Sequence, residues 1–263
     1  MRQITQKSLE LYKMLVGKMS PDLNNRLIQK YAACSGNLDL YKKVCSNWEI
    51  DGNEELPCIL RGIYKNLSFA YWCKDNIEKE FIQEAVSSKL IMNDDLSFVR
   101  GDIYCIWYPQ IASEETYEKL VKMREDLKYG VARACAIAGY TDLYRSLNVL
   151  PEIHVLHEAL EAENCDIVKN ILSDGRLYSA MDDDYGMYLD EPVPTRFIRG
   201  VTCTRSQMAD RYGDDNTERV LLEDFSDSDI RSHFDGRDPL KINMMSMNIL
   251  LSKMRLIEQV CNV

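Results

Sequence analysis

A short pattern that recurs without gaps limits what this chain can fold into more than any other feature. It reads Ala32-Ala33-Cys34-Ser35-Gly36-Asn37-Leu38-Asp39-Leu40, then Cys135-Ala136-Ile137-Ala138-Gly139-Tyr140-Thr141-Asp142-Leu143, then Ala159-Leu160-Glu161-Ala162-Glu163-Asn164-Cys165-Asp166-Ile167. A weaker copy runs from Gly62 to Ala70. Each unit has small residues ending one helix, a Gly or Asn turn, and a polar residue leading a second apolar helix. Asp39, Asp142 and Asp166 fall at the start of that second helix, where a carboxylate meets unpaired backbone N–H groups and the positive end of the helix dipole. A helical hairpin this small cannot bury its apolar face alone, so several must stack.

Apolar spacing elsewhere is also helical. Leu9, Tyr12, Leu15, Val16 and Met19 form one stripe, and Met247, Leu250, Met254, Ile257 and Cys261 another near the C-terminus. Ser20-Pro21-Asp22 reads as a helix start, with Ser as cap and Pro at the first helical position. Ser113 caps another helix, with Glu114 and Glu115 in its first turn. Glu115 to Lys119 and Glu118 to Lys122 support its outer side at i,i+4, and Leu120, Met123, Leu127 and Val131 read as its inner stripe. Ile103-Tyr104-Cys105-Ile106-Trp107-Tyr108 is β-prone and stops at Pro109. With no second strand to pair with it, it is expected to be a buried extended connector.

Composition narrows the classes further. Hydrophobic residues are 46% and charged residues 28% of 263, as in a folded chain, and 12 Gly with 7 Pro argue against loop-rich β architectures. The net charge of -10 repels a phosphate backbone, so no nucleic-acid partner is expected. Nothing approaches the roughly 18 uninterrupted apolar residues of a membrane span, and residues 1–7 lack the apolar run of a secretory signal. Nine cysteines are scattered without a C-x-x-C, mostly in apolar helical company. They read as reduced core residues, which predicts a cytoplasmic, reducing location. Asn66-Leu67-Ser68 and Arg100-Gly101-Asp102 read as chance occurrences.

The repeated stretches resemble the second half of the ankyrin repeat, A-A-x-x-G-[HN]-x-[DE]-[IVL]-V-x-x-L-L, best at Ala32 and at Ala159 with its trailing Asp174-Gly175. The T-P-L-H opening of that repeat is absent. The spacings of 29 (Asp39 to Ser68) and 24 (Asp142 to Asp166) depart from the usual repeat of about 33. The likeness is to the eroded repeats of large DNA viruses and intracellular bacteria, and it lies within residues 20–175. It implies an all-α fold: a short solenoid of ankyrin-like hairpins over residues 1–175. An acidic, partly irregular extension, residues 176–263, follows and is closed by a terminal helix.

That extension carries a charge anomaly. Between Asp174 and Asp238 lie sixteen acidic residues, eight arginines and no lysine. Asp182, Asp183, Asp184, Arg196, Arg199, Asp227 and Asp229 are the candidate partner-binding residues, because Arg-plus-Asp surfaces suit bidentate pairing and an acidic field draws a basic partner. The concave face and turn tips of stacked hairpins form a second candidate surface.

Sites for chemistry are weaker. His154, His157 and Glu161 share a helical face, but their order fits no zinc motif, so structural histidines are the expectation. Asp182–Asp184 and Asp224–Asp229 lack the EF-hand order. Met244, Met245, Met247 and Met254 read as core filling beside the terminal helix. No phosphate-binding glycine motif occurs. The chain is therefore expected to be a non-enzymatic protein-interaction module, a viral or bacterial host-interaction factor, with no cofactor or metal. Alternatives are a structural assembly subunit, which leaves the oligomeric state open, and an enzyme centred on Cys203, Asp210 and His233.

Overall fold

The computed structural model describes residues 21–45, 55–103, 105–173 and 175–178, and all regular structure in them is helical. The helices are α1 Pro21–Cys34, α2 Leu38–Val44, α3 Leu56–Lys65, α4 Leu67–Asn76, α5 Glu80–Ile91, α6 Glu114–Met123, α7 Lys128–Ala138, α8 Thr141–Leu147, α9 Ile153–Glu161 and α10 Cys165–Ser173. A 3-10 turn, Glu125–Leu127, precedes α7.

The repeated pattern folds into hairpins. Helices α1 and α2 pair, as do α3 and α4, α7 and α8, and α9 and α10. Within each half the hairpins lie side by side in register: α1 packs on α3 and α2 on α4, while α7 packs on α9 and α8 on α10. Helix α5 covers α3 and α4, and α6 leans on α7.

Three of the turns share one closure. The N–H of Asn37 reaches the carbonyl of Ala32 at 2.9 Å, Tyr140 reaches Cys135 at 3.1 Å, and Asn164 reaches Ala159 at 2.8 Å. This six-to-one bond needs a left-handed residue just before it. Gly36 (φ 66) and Gly139 (φ 80) supply it, and in the third unit Glu163 adopts the same conformation at φ 56. The weaker copy is built differently. Its Gly62 lies inside α3, where an added Cβ would come 2.1 Å from the carbonyl oxygen of Ala33 on α1. Glycine there sets the distance between two helices, and Asn66 alone makes the turn, its Oδ1 accepting from the N–H of Ser68 at 2.9 Å.

Two apolar clusters form the core. One gathers α1 to α5 around Ile59, Ile63, Phe69, Ile82 and Leu90; the other gathers α6 to α10 around Ile106, Leu120, Val131, Leu156 and Ile171. Tyr64 packs against both.

The β-prone stretch is a connector with no strand pairing to it among the described residues, and it bends over residues 106–109 instead of running extended. Cys105, Ile106 and Trp107 are buried, so their backbone groups need partners other than water. Tyrosine hydroxyls provide several. Tyr64 donates to the carbonyl of Cys105 at 3.2 Å, and Tyr117 donates to that of Ile106 at 2.7 Å while accepting from the N–H of Ala112 at 3.1 Å. Tyr140 donates to the carbonyl of Ala112 at 3.1 Å.

Other expectations meet mixed outcomes. Helix α1 starts at Pro21, and Ser113 caps α6, its Oγ accepting from the N–H of Thr116 at 3.3 Å. Both i,i+4 pairs form, Lys119 with Glu115 at 2.7 Å and Lys122 with Glu118 at 2.6 Å. The stripe Leu120–Met123–Leu127–Val131 is not one helix face. Helix α6 ends at Met123, which is 57% exposed, and Leu127 and Val131 belong to the next turn and helix. Arg124 fixes the break by reaching back to the carbonyl of Gly101 at 3.2 Å and gripping both carboxylate oxygens of Asp126 at 2.8 and 2.6 Å. Arg100-Gly101-Asp102 is a backbone cover over Glu84, whose carboxylate accepts from the N–H of Asp102 at 3.2 Å. The stripes at residues 9–19 and 247–261 lie outside the described residues.

The reading of every cysteine as a reduced core residue needs correction. Cys34, Cys45, Cys58, Cys73, Cys105 and Cys135 are buried thiols. Cys165, half-buried at the first position of α10, is disulfide-bonded.

Candidate functional site

Two groupings of polar side chains come out of this packing, one buried and one on the surface. The buried one joins α7, α9 and the connector. Arg133 Nη2 lies 2.6 Å from Glu158 Oε1, and each side chain is 1% exposed. The guanidinium sits 4.0 Å from the centroid of the Trp107 ring. Glu152 caps α9, its Oε2 accepting from the N–H of Val155 at 3.0 Å, and its Oε1 lies 3.1 Å from His154 Nδ1.

His157 is buried one turn beyond His154. Burial first, then His154 and Arg133, push its imidazole down to about 3, so it is neutral across the physiological range. Burial likewise pushes the Cys105 thiol up to about 12, although Arg133 draws it the other way. The centre thus holds the Arg133–Glu158 ion pair, the Glu152–His154 contact, the neutral imidazole of His157 and the protonated thiol of Cys105, all shielded from solvent. Removing water strengthens the pair but leaves each member costly to strand, so the arrangement acts as a latch between helices. Trp107 Nε1 and His157 Nε2 find no hydrogen-bond partner among the described residues.

His154, His157 and Glu161 do not assemble as ligands. The two imidazoles point into the packed interior, and Glu161 ends the helix half-buried. Among the described residues no group of three or more His, Cys, Asp and Glu could hold a metal ion.

The surface grouping is the line of stacked turns. Asn66 Nδ2 donates to the carbonyl of Gly36 at 2.8 Å, and Asn164 Nδ2 to that of Ala136 at 3.4 Å, each turn reaching the hairpin before it. Between these pairs Tyr71 donates to Asp95 Oδ2 at 2.8 Å. Asp94 Oδ1 accepts from the N–H of Ser113 at 2.8 Å, from its Oγ at 2.7 Å and from Thr116 Oγ1 at 2.7 Å. Contacts therefore pass from turn to turn along the molecule. Exposed carboxylates flank them: Asp39, Asp94, Glu114, Glu115, Asp142, Glu163 and Asp166. Hydrogen bonds from Thr116 and Ser113 hold the Asp94 carboxyl below its usual range, and those from Ser97 do the same for Asp95, so both stay ionised. Tyr71 adds an aromatic face, 40% exposed.

The residues expected to bind a partner, Asp182, Asp183, Asp184, Arg196, Arg199, Asp227 and Asp229, lie outside the described residues. So do Cys203, Asp210, His233 and the methionines at 244, 245, 247 and 254. The latch was not anticipated. Arg133 within Val131-Ala132-Arg133-Ala134-Cys135 is a lone charge on an apolar helix, and that was the available signal.

Residues 107–197 match the family model described as the YKP1 C-terminal domain. The match opens at Trp107, the residue under the Arg133 guanidinium, and runs across Gly175, where the sequence suggested a boundary. Over 171 residues the chain is 27% identical to a curated relative, described as uncharacterized killer plasmid pGKl-2 protein 1, from Kluyveromyces lactis. That alignment covers 62% of this chain and 75% of the relative. No solved structure matches. No helix among the described residues is long and apolar enough to cross a membrane.

Proposed function

We propose that the chain is a non-enzymatic protein-interaction module: a short solenoid of ankyrin-like hairpins that offers its line of stacked turns to a basic protein partner. The observation that carries this reading is the repeated turn-to-turn bond, Asn66 to Gly36 and Asn164 to Ala136. It ties second helices back to the hairpin before them, and three of the four second helices carry a carboxylate in their first turn, Asp39, Asp142 and Asp166, which we read as one acidic row. A rigid row of like charges raises the encounter rate with a basic surface and sets its register. The latch supports the same reading, since Arg133 and Glu158 face each other with their charges closed to solvent. Likeness to a killer plasmid protein favours a plasmid-borne factor acting on host or plasmid-encoded proteins over the viral or bacterial setting that the repeats suggested.

The test is capture from a cell extract with the full chain and charge-reversal variants. Asp39→Lys, Asp142→Lys and Asp166→Lys together are expected to abolish capture of a stoichiometric partner, and added salt to weaken it. Glu118→Lys, on the outer side of α6, is expected to leave capture intact. Partner retention by the triple variant would move the site to the acidic extension. Self-assembly with no captured partner would replace the module with a structural subunit.

A further inference from the structure

We propose that Cys34 and Cys58 form a redox-sensitive cross-linking site, at which a small-molecule disulfide oxidises the two thiols to a bond between the first and second hairpins. The seam between α1 and α3 is unusually close. An added Cβ on Gly62 would stand 2.1 Å from the Ala33 carbonyl oxygen, so the two backbones nearly touch. Cys34 follows Ala33 on α1, and Cys58 lies one turn before Gly62 on the same side of α3. Their thiols meet in this seam and share a hydrogen bond, and both residues are 0% exposed.

The pairing distinguishes these two from the other thiols. Burial alone dominates the raised thiols of Cys73, Cys105 and Cys135, whereas for Cys58 the thiol of Cys34 is the largest influence. Disulfide formation needs the Cα atoms within about 7 Å, which two helices in glycine contact allow.

The chemistry proceeds by exchange. When the seam opens, the thiolate of one cysteine attacks the reagent's sulfur, forming a mixed disulfide and releasing one thiol. The second cysteine, held at contact distance, then displaces the remaining half of the reagent. Two protein thiols are oxidised and one disulfide is reduced to two thiols, with both protons passing to solvent or the released thiolates. Protonated buried thiols are poor nucleophiles, so the first step waits on opening and is slow, while the second is fast.

Gly36 and its bond to Asn66 lie two residues beyond Cys34, so the cross-link fixes the first two turns of the proposed interaction row. This consequence rests on the interaction reading; the cross-link itself does not.

The test treats the full chain with oxidised glutathione, then alkylates remaining thiols in denaturant and digests with trypsin. A Cys45→Ser variant is used because Cys45 and Cys58 share the tryptic peptide Val44–Arg61. The expected product is that peptide joined to Tyr31–Lys42, lighter by two hydrogens than the two separate peptides and lost on reduction. Cys58→Ser is expected to abolish it. Recovery of Cys34 and Cys58 as alkylated thiols, or as two separate glutathione adducts, overturns the proposal. Partner capture is scored separately, so failure of the cross-link leaves the interaction reading standing, and the reverse.

Discussion

The side-chain amide of Asn66 donates to the carbonyl of Gly36 at 2.8 Å, while the same side chain's oxygen caps its own helix. One residue thus starts the second helix of the second hairpin and ties that hairpin to the first. Asn164 repeats the device in the last described hairpin, with Oδ1 accepting from the N–H of Ile167 and Nδ2 donating to the carbonyl of Ala136, both at 3.4 Å.

Removing this residue should cost both functions. Asn66→Ala is expected to lower unfolding free energy by about 1–2 kcal/mol in urea titration, the sum of a lost cap and a lost partly buried hydrogen bond. Gly36→Ala should cost more, at least about 2 kcal/mol. Its φ of 66 disfavours any side chain, and the new Cβ would meet that of Asn66 at 2.8 Å. Equal stability of either variant with the parent would contradict the turn-to-turn tie.

Glu163 occupies, at φ 56, the left-handed position that glycine fills in the α1–α2 and α7–α8 hairpins. Glu163→Gly should relieve the clash between Cβ and backbone and raise the thermal midpoint, by about 0.5–1 kcal/mol of stability. A lower midpoint would mean that the glutamate side chain holds the turn more strongly than its backbone strains it.

The Arg133–Glu158 latch should behave asymmetrically. Arg133→Met removes the ion-pair partner of a buried carboxylate and is expected to cost about 3–5 kcal/mol, whereas Arg133→Met with Glu158→Leu should recover most of that loss. A double variant no more stable than the single one would show that Trp107 stacking, rather than charge pairing, dominates the site.

His157 gives the fold a specific acid sensitivity. Its folded-state imidazole titrates at about 3 against an ordinary value of 6.5, so between those limits the unfolded chain binds the extra proton. The stability it contributes is fully present above pH 6.5 and falls as pH drops toward 3, with a slope near 1.4 kcal/mol per pH unit. His157→Leu should flatten the stability profile by that slope across the window, while the carboxylate contribution, common to both proteins, cancels in the difference. Parallel profiles would place His157 in contact with solvent.

Several features were legible in the residues alone. The helical hairpins could be read because small-residue, turn and acidic positions recur within a dozen residues, and local sterics and dipoles suffice to form them. Ser113 and the Glu–Lys pairs of α6 were readable for the same reason. The stripe from Leu120 to Val131 misled because an apolar period survives a helix break. What stops α6 is Arg124 gripping Asp126 and the carbonyl of Gly101, and the latter lies far away in sequence. The role of Gly62 was hidden likewise, since a glycine that spaces two helices looks the same as one that makes a turn.

The helical class of the described residues, the hairpin positions and the acidic bias all follow from interactions among residues near in the chain or from composition. Tertiary structure alone decided which hairpins touch, that Asn66 faces Gly36, that Arg133 finds Glu158 over Trp107, and that Cys34 meets Cys58. Those relationships join residues 24 to 30 positions apart. No local preference encodes them; they arise when burying apolar faces forces helices together and leaves each enclosed polar group to satisfy itself with whatever the packing brings within reach.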